Sequence, residues 1–179
     1  AKHYIEAINR VGLVEQELPV EPYIVKQRQE VSSSDGRSRI ILLPDSKFGM
    51  DVHVSFDSPV LSNQFASLES LEDFDQEISA SRTFVFVREV ETLLEHNLIK
   101  GGDLDNALVI YDQPMEQTQL DKICDLMGVA RKVAPELGYI NNSPIIFPNE
   151  PARHKLLDVL GDLALIGRPI VGRIIAFCP

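Results

Sequence analysis

Tryptophan is absent from this chain and cysteine nearly so: Cys124 and Cys178 are the only two thiols in 179 residues. Two thiols cannot build a disulfide framework or a Cys-rich zinc site, and a reducing compartment is the default. Long apolar runs are missing too. No stretch approaches the ~20 residues that span a bilayer, and no signal-peptide pattern is apparent. The expectation is a cytoplasmic protein without an integral membrane segment. Positive charge is scarce, with 17 Lys and Arg against 27 Asp and Glu, a net charge of −10. That argues against a broad contact with nucleic acid, but leaves room for a local basic pocket. What remains is a globular composition, 44% hydrophobic and 25% charged, enough for one domain or two small ones.

The chain opens with an amphipathic helix over Lys2–Val11, its Ile5, Ile8 and Val11 near one face and Gly12 as its stop. It exposes an apolar face, so it is expected to pack on this domain or on a neighbouring chain. EQELPVEP follows, a plausible linker, and the helix reads as the end of another domain. The expected boundaries are 1–18 for that terminal helix, 19–24 for the linker and 25–179 for the main domain. Tyr23 to Val31 reads as extended, Asp35-Gly36 as a hairpin turn and Arg39 to Leu43 as the returning strand. Met50, Val52, Val54 and Phe56 alternate with polar residues, the pattern of a strand buried on one face. Ser70 is expected to start a helix with Leu71, Phe74 and Ile78 inward.

Thr83–Val87, Arg88–His96 and Ala107–Tyr111 then read as a compact, unusually apolar strand–helix–strand unit, closed by a tight loop at Lys100–Asp103. It is either ordinary core or a wall for a lipid-like ligand. His96 suits a helix C-terminus better than catalysis, and His53 reads as a solvated strand histidine. A further helix is centred on Leu120, Ile123, Leu126 and Met127, stopping at Gly128, followed by a short basic piece and an extended Ile145-Ile146. Ile170–Phe177 is expected as a final buried strand. The order of elements predicts an α+β two-layer sandwich carrying the strand–helix–strand unit as an insert.

The clearest helix lies between Asn149 and Gly167, with Asn149 as its cap and Pro151 in its first turn. Leu156, Leu157, Leu160, Leu163 and Ala164 are expected to form its buried face. The opposite side carries His154, Asp158 and Asp162 at i, i+4 and i+8, with the small Gly161 between them. An imidazole and a carboxylate one helical turn apart can converge on a divalent metal, zinc above all. The same spacing also describes an exposed His–Asp pair worth a few tenths of a kcal/mol, roughly. Spacing alone leaves both readings open.

Three motifs add to it. Ser81-Arg82-Thr83-Phe84, then Gly101-Gly102-Asp103-Leu104-Asp105-Asn106-Ala107, then Arg153-His154-Lys155-Leu156-Leu157-Asp158-Val159-Leu160-Gly161-Asp162-Leu163 occur in this order. With them, nearly the whole chain resembles the second domain of the UDP-3-O-acyl-N-acetylglucosamine deacetylases, the zinc amidases of lipid A biosynthesis in Gram-negative bacteria. This domain shares its two-layer architecture with a ribosomal-protein domain. The resemblance implies that His154 and Asp158 are two of three ligands to Zn2+ and that Thr83 stabilises the oxyanion. It implies that Lys155 contacts the sugar-diphosphate end of the substrate and that Asp162 charge-stabilises a histidine general acid. The unit over 81–112 would be the insert that forms the acyl-chain passage. Phe84, Phe86, Val90, Ile99, Gly102, Leu104, Ala107 and Val109 stand at its lining positions.

The resemblance also implies what stands outside this sequence. The third zinc ligand and the glutamate base belong to a motif expected before Ala1, and the general-acid histidine to a Gly-His expected directly after Pro179. The chain alone is therefore expected to turn nothing over and to need its first domain as partner. About two dozen residues, near 113–140, look inserted relative to the common family pattern. In this the chain resembles the longer members fused to a 3-hydroxyacyl-carrier-protein dehydratase. The competing expectation is a non-catalytic domain that binds the acylated sugar nucleotide.

Overall fold

A computed structural model describes residues 1–96, 107–127, 130, 131, 133, 135–140 and 144–179, with only the backbone described for Glu91, Leu94, Glu95 and Met127. The architecture is α+β, and the chain divides into two compact units. One comprises Ala1–Ser55, Asn63–Ser81 and Ile146–Pro179, the other Phe56–Ser62 and Arg82–Ile145.

The first unit is built on a six-stranded sheet. Its strands are β1 (Tyr23–Ile24), β2 (Gln29–Ser32), β3 (Arg39–Leu43), β4 (Phe48–Ser55), β5 (Asn63–Leu68) and, last in the chain, β9 (Ile170–Phe177). The order is β2-β3-β9-β4-β5, and β1 joins the start of β9 in parallel. The period-two pattern decides the faces. Met50, Val52 and Val54 of β4, Ala66 and Leu68 of β5, and Ile174 and Ala176 of β9 are all buried, and helix α5 (Glu150–Ala164) packs across β4 and β5. The opposite face carries Asp51, His53, Ser67 and Arg173. There His53 lies beside Phe177, the ring centroids 6.1 Å apart.

The last strand holds the centre because both its flanks are used. It pairs antiparallel with β3, parallel with β4, and parallel with the two residues of β1. At the junction stands Gly172 (φ +151°), where a Cβ would lie 2.6 Å from Val25 Cγ2 and 2.9 Å from the Leu43 carbonyl oxygen. Only glycine admits that approach.

Helix α1 (Lys2–Val11) forms with its expected bounds and ends where the Gly12 N–H bonds the Ile8 carbonyl. The Lys2 N–H bonds the Ser79 carbonyl, yet none of the helix's residues is buried, and Tyr4, Ile8 and Val11 are exposed. Packing against its own chain therefore does not supply the cover expected of its apolar face. The extended stretch before the hairpin is interrupted between β1 and β2. The helix expected from Ser70 is only a short 3-10 turn over Leu71–Asp73 continued by α2 (Phe74–Glu77). Ser70 does cap that turn, its Oγ accepting from the Glu72 N–H at 3.2 Å.

The second unit contains β6 (Thr83–Phe86), α3 (Val87–Glu95), β7 (Ala107–Tyr111), α4 (Gln117–Met127) and β8 (Gly138–Tyr139). The first three are the expected strand–helix–strand unit, with β6 and β7 parallel and Thr83 opposite Ala107. The two-residue β8 pairs antiparallel with β7 and was not signalled by any periodicity. Ile145-Ile146 forms no strand. Core packing lies on both faces of this three-stranded sheet. Val85, Val87, Val90, Val109 and Tyr111 pack with Leu120, Ile123 and Cys124 of α4. Phe84, Phe86 and Ile110 pack with Phe56, Val60, Leu61 and Tyr139. The tight loop at Lys100–Asp103 lies outside the described residues.

Candidate metal and substrate site

Helix α5 runs from Glu150 with Pro151 in its first turn, and Gly167 (φ +72°) ends the chain's helical path by donating its N–H to the Ala164 carbonyl. Asn149 stands at the cap position but does not cap with its side chain. Its Nδ2 donates to the Phe65 carbonyl on β5 at 2.7 Å, and its Oδ1 accepts from Arg153 Nε at 2.8 Å. The helix is thereby tied to the sheet rather than closed on itself.

The buried stripe of α5 is Ala152, Leu156 and Val159. The expected face of Leu156, Leu157, Leu160, Leu163 and Ala164 is thus corrected: only Leu156 is buried, and Ala164 is exposed. The N-terminal half of the helix covers β4 and β5. Leu160, Leu163 and Ala164 instead line an open apolar groove of about 410 Å³ with Phe48, Leu71 and Pro169.

The polar stripe places His154, Asp158 and Asp162 in line. His154 is the most enclosed, its side chain 19% exposed against 42% for Asp158, and Asp162 is exposed. His154 Nδ1 lies 3.0 Å from the Ser81 carbonyl oxygen. A carbonyl only accepts, so Nδ1 carries the hydrogen, and in the neutral ring the lone pair is on Nε2. That lone pair belongs to the nitrogen nearest Asp158, whose Oδ1 is 3.5 Å away. Lys155 Nζ lies 3.4 Å from the other oxygen, Oδ2, of the same carboxylate.

The donor set fits a divalent ion. Ligand bonds of about 2.0–2.2 Å in tetrahedral array set neighbouring ligand atoms roughly 3.4 Å apart, close to the Nε2–Oδ1 separation seen here. A histidine that gives its other ring N–H to a backbone carbonyl is the arrangement metal sites use to fix ring and tautomer. Ser81 Oγ is itself buried and finds no hydrogen-bond partner among the described residues. Among the described residues no third His, Cys, Asp or Glu joins the pair.

The remaining candidate residues belong to the second unit. Thr83 is exposed at the start of β6. Ile99, Gly102 and Leu104 lie outside the described residues. The other proposed lining residues divide between the two faces of the sheet. Phe84 and Phe86 form an aromatic layer with Phe56, centroids 5.2 to 6.2 Å apart, whereas Val90 and Val109 are packed toward α4. Ala107 is buried at the start of β7. A single acyl chain on the aromatic face would not meet Val90 or Val109. No helix among the described residues is long and apolar enough to cross a membrane.

Ser81 and Arg153 stand in the sequence motifs, but sequence reasoning gives neither a role. Arg153 Nη1 donates to both the carbonyl and the Oε2 of Glu77, each at 2.5 Å, and its guanidinium lies 4.2 Å from the Phe147 ring centroid. The contact crosses 76 positions, and no spacing rule could have found it.

Comparison with known proteins points one way. A family model described as UDP-3-O-acyl N-acetylglycosamine deacetylase, LpxC, matches residues 1–123 and 131–179. The match passes over 124–130, at the end of α4. The chain is 66% identical to a protein of Porphyromonas gingivalis named bifunctional enzyme LpxC/FabZ, over 100% of this chain and 39% of that protein. A protein of the same name from Bacteroides thetaiotaomicron is 55% identical with the same coverage. A Myxococcus xanthus protein named UDP-3-O-acyl-N-acetylglucosamine deacetylase is 33% identical over 99% of this chain and 48% of its own length. The chain thus spans well under two thirds of these relatives.

Proposed function

The chain belongs to the UDP-3-O-acyl N-acetylglycosamine deacetylase family, and from that premise we propose that it supplies the metal-ligating helix and acyl-binding sheet of such an enzyme. The reaction is hydrolysis of the 2-acetamido group of UDP-3-O-acyl-N-acetylglucosamine in lipid A synthesis, releasing acetate and a free amino sugar. The observation that carries this reading is His154, locked by Ser81 with its Nε2 lone pair beside the Asp158 carboxylate.

His154 and Asp158 would hold Zn2+. The chemistry such an ion supplies is Lewis acidity, which makes a hydrolytic water acidic enough to deprotonate near neutral pH and polarises the amide carbonyl. Asp158 brings the negative charge that favours a cation. Lys155, next to it, offers an ammonium to the diphosphate of the substrate. Thr83, exposed at the start of β6, provides a hydroxyl that can donate to the developing oxyanion. Asp162 is a surface carboxylate suited to holding a protonated imidazole near the leaving amine. Phe84 and Phe86 form the apolar wall for the acyl chain, and Val90, Ala107 and Val109 hold that wall's sheet in place.

His154 and Asp158 are the two ligands that come together among the described residues, and in this reading a third ligand and an acid–base pair complete the site. We also read the chain as part of a bifunctional protein that carries a fused 3-hydroxyacyl-carrier-protein dehydratase, following the names of its relatives.

The test is acetate release from UDP-3-O-acyl-N-acetylglucosamine by the natural gene product, before and after chelation and zinc restoration. The expected result is activity lost to chelator, restored by zinc and abolished by His154→Ala. Activity indifferent to chelator and to His154→Ala would overturn the reading. Binding of the acylated sugar nucleotide without any turnover would favour a non-catalytic binding domain.

A further inference from the structure

Arg153 and His154 are neighbours on α5, their side chains about 100° apart around the helix axis. They grip the two ends of one short segment. Arg153 Nη1 donates to the carbonyl and carboxylate of Glu77, at the end of α2. His154 Nδ1 donates to the carbonyl of Ser81, four residues on.

The segment between those ends transmits position. Ile78 and Ser79 are buried. The Ile78 and Ser79 N–H groups both bond the Phe74 carbonyl, and the Ser81 N–H bonds the Ile78 carbonyl, each at 2.9 Å. The Ser79 hydroxyl donates back to the Asp75 carbonyl at 2.7 Å. The Ile78, Ser79 and Ser81 N–H groups are thus all bound, which ties this turn to the end of α2. Arg153 is held just as firmly: its Nε donates to Asn149 Oδ1, Asn149 is bonded to β5, and the guanidinium stacks on Phe147. A planar fork that satisfies three acceptors at once is a role lysine cannot fill.

We propose that Arg153 is a positioning residue for His154: by anchoring Glu77 it sets the Ser81 carbonyl where it selects the Nδ1–H tautomer and leaves Nε2 free to ligate. This rests on the metal reading above for its purpose, though the tautomer itself does not. Outer-shell groups of this kind typically change metal affinity by about 10–100-fold when removed.

The experiment uses the protein labelled with 15N-histidine. In the natural gene product this chain contributes four histidines, and the His154 signals are assigned by their loss in His154→Ala. Long-range proton–nitrogen correlations at mildly alkaline pH report the tautomer, and a Zn2+ titration of the same ring signals reports its affinity. Native protein is expected to show the Nδ1–H form. In Arg153→Gln and Arg153→Lys the ring is expected to average between tautomers, with zinc affinity about 10-fold weaker, while thermal melting shows a folded chain. Glu77→Ala, at a half-exposed position, keeps the main-chain carbonyl that Arg153 also binds and is expected to move the tautomer in the same direction but less far. A folded Arg153→Gln with the native tautomer and native zinc response would overturn the proposal. If zinc leaves the His154 ring unmoved in the native chain while Arg153→Gln still shifts the tautomer, the positioning stands and the metal reading falls.

Discussion

The Nδ1 of His154 lies 3.0 Å from the carbonyl oxygen of Ser81, and the hydroxyl of that same Ser81 is buried with no partner among the described residues. One residue thus gives the site an essential acceptor through its backbone and an unsatisfied group through its side chain. A buried hydroxyl without a bond is unfavourable by about 1–3 kcal/mol. Ser81→Ala keeps the carbonyl and removes the hydroxyl. It is expected to raise stability by about 1 kcal/mol and to leave the His154 ring signals unchanged. Urea unfolding with the same histidine spectra checks both, and a destabilised variant would show that the hydroxyl has a partner after all.

The roll of α5 makes a second expectation. Leu156 is fully buried, whereas its neighbour Leu157 is half-buried. Leu156→Ala should cost about 2–5 kcal/mol through lost burial and a residual cavity. Leu157→Ala should cost about 1 kcal/mol or less. Comparable losses from the two variants would mean that the face inferred from the leucine spacing, rather than the Ala152–Leu156–Val159 stripe, is the buried one.

This roll also marks where the sequence stops being legible. The alternation through Met50, Val52 and Val54 admits one face only, because a one-residue slip would bury Asp51 and His53. Helix α5 carries apolar residues at 152, 156, 157, 159, 160, 163 and 164, enough for two overlapping stripes. Tertiary packing chooses between them. Asn149 does occupy the cap position, but Arg153 and the Phe65 carbonyl claim its side chain. The His154–Asp158 pair was visible from i,i+4 spacing. Its support was not, since a main-chain carbonyl and an arginine reaching 76 positions back leave no periodic trace. The two residues of β8 are too short to carry any pattern.

On the open face of the sheet Arg173 binds Asp51 through Nε and Nη2, at 2.6 and 2.7 Å, and reaches Glu69 at 2.8 Å. The Arg173 hydrogen bond and charge pull the Glu69 carboxyl from 4.5 down to about 2. Its folded value is depressed, so its contribution is complete above the unfolded value of 4.5 and disappears as pH falls through about 2. Across that acid window the melting temperature of Glu69→Gln should fall less steeply than that of the native chain, with the two curves converging at the acid end. Parallel curves would show that Glu69 takes no part in the acid transition.

Two glycines should respond in opposite directions to the same change. Gly172 has φ +151° and a Cβ there would meet Val25 and the Leu43 carbonyl below 3.0 Å, so Gly172→Ala must open the junction of β1, β3 and β9. We expect a loss of about 1–3 kcal/mol. Gly161 sits in the interior of α5 with nothing among the described residues within 4 Å of an added Cβ. There alanine restores helix propensity, and Gly161→Ala should gain roughly 0.5–1 kcal/mol. Urea midpoints at unchanged m-value separate the two. Gly161 also lies between Asp158 and Asp162 along the polar stripe, where the proposed substrate would approach. A Gly161→Ala enzyme that is more stable yet slower in acetate release would show that the glycine keeps space for substrate at the expense of the helix. Unchanged turnover in the stabilised variant would mean that the substrate does not pass over this turn of α5.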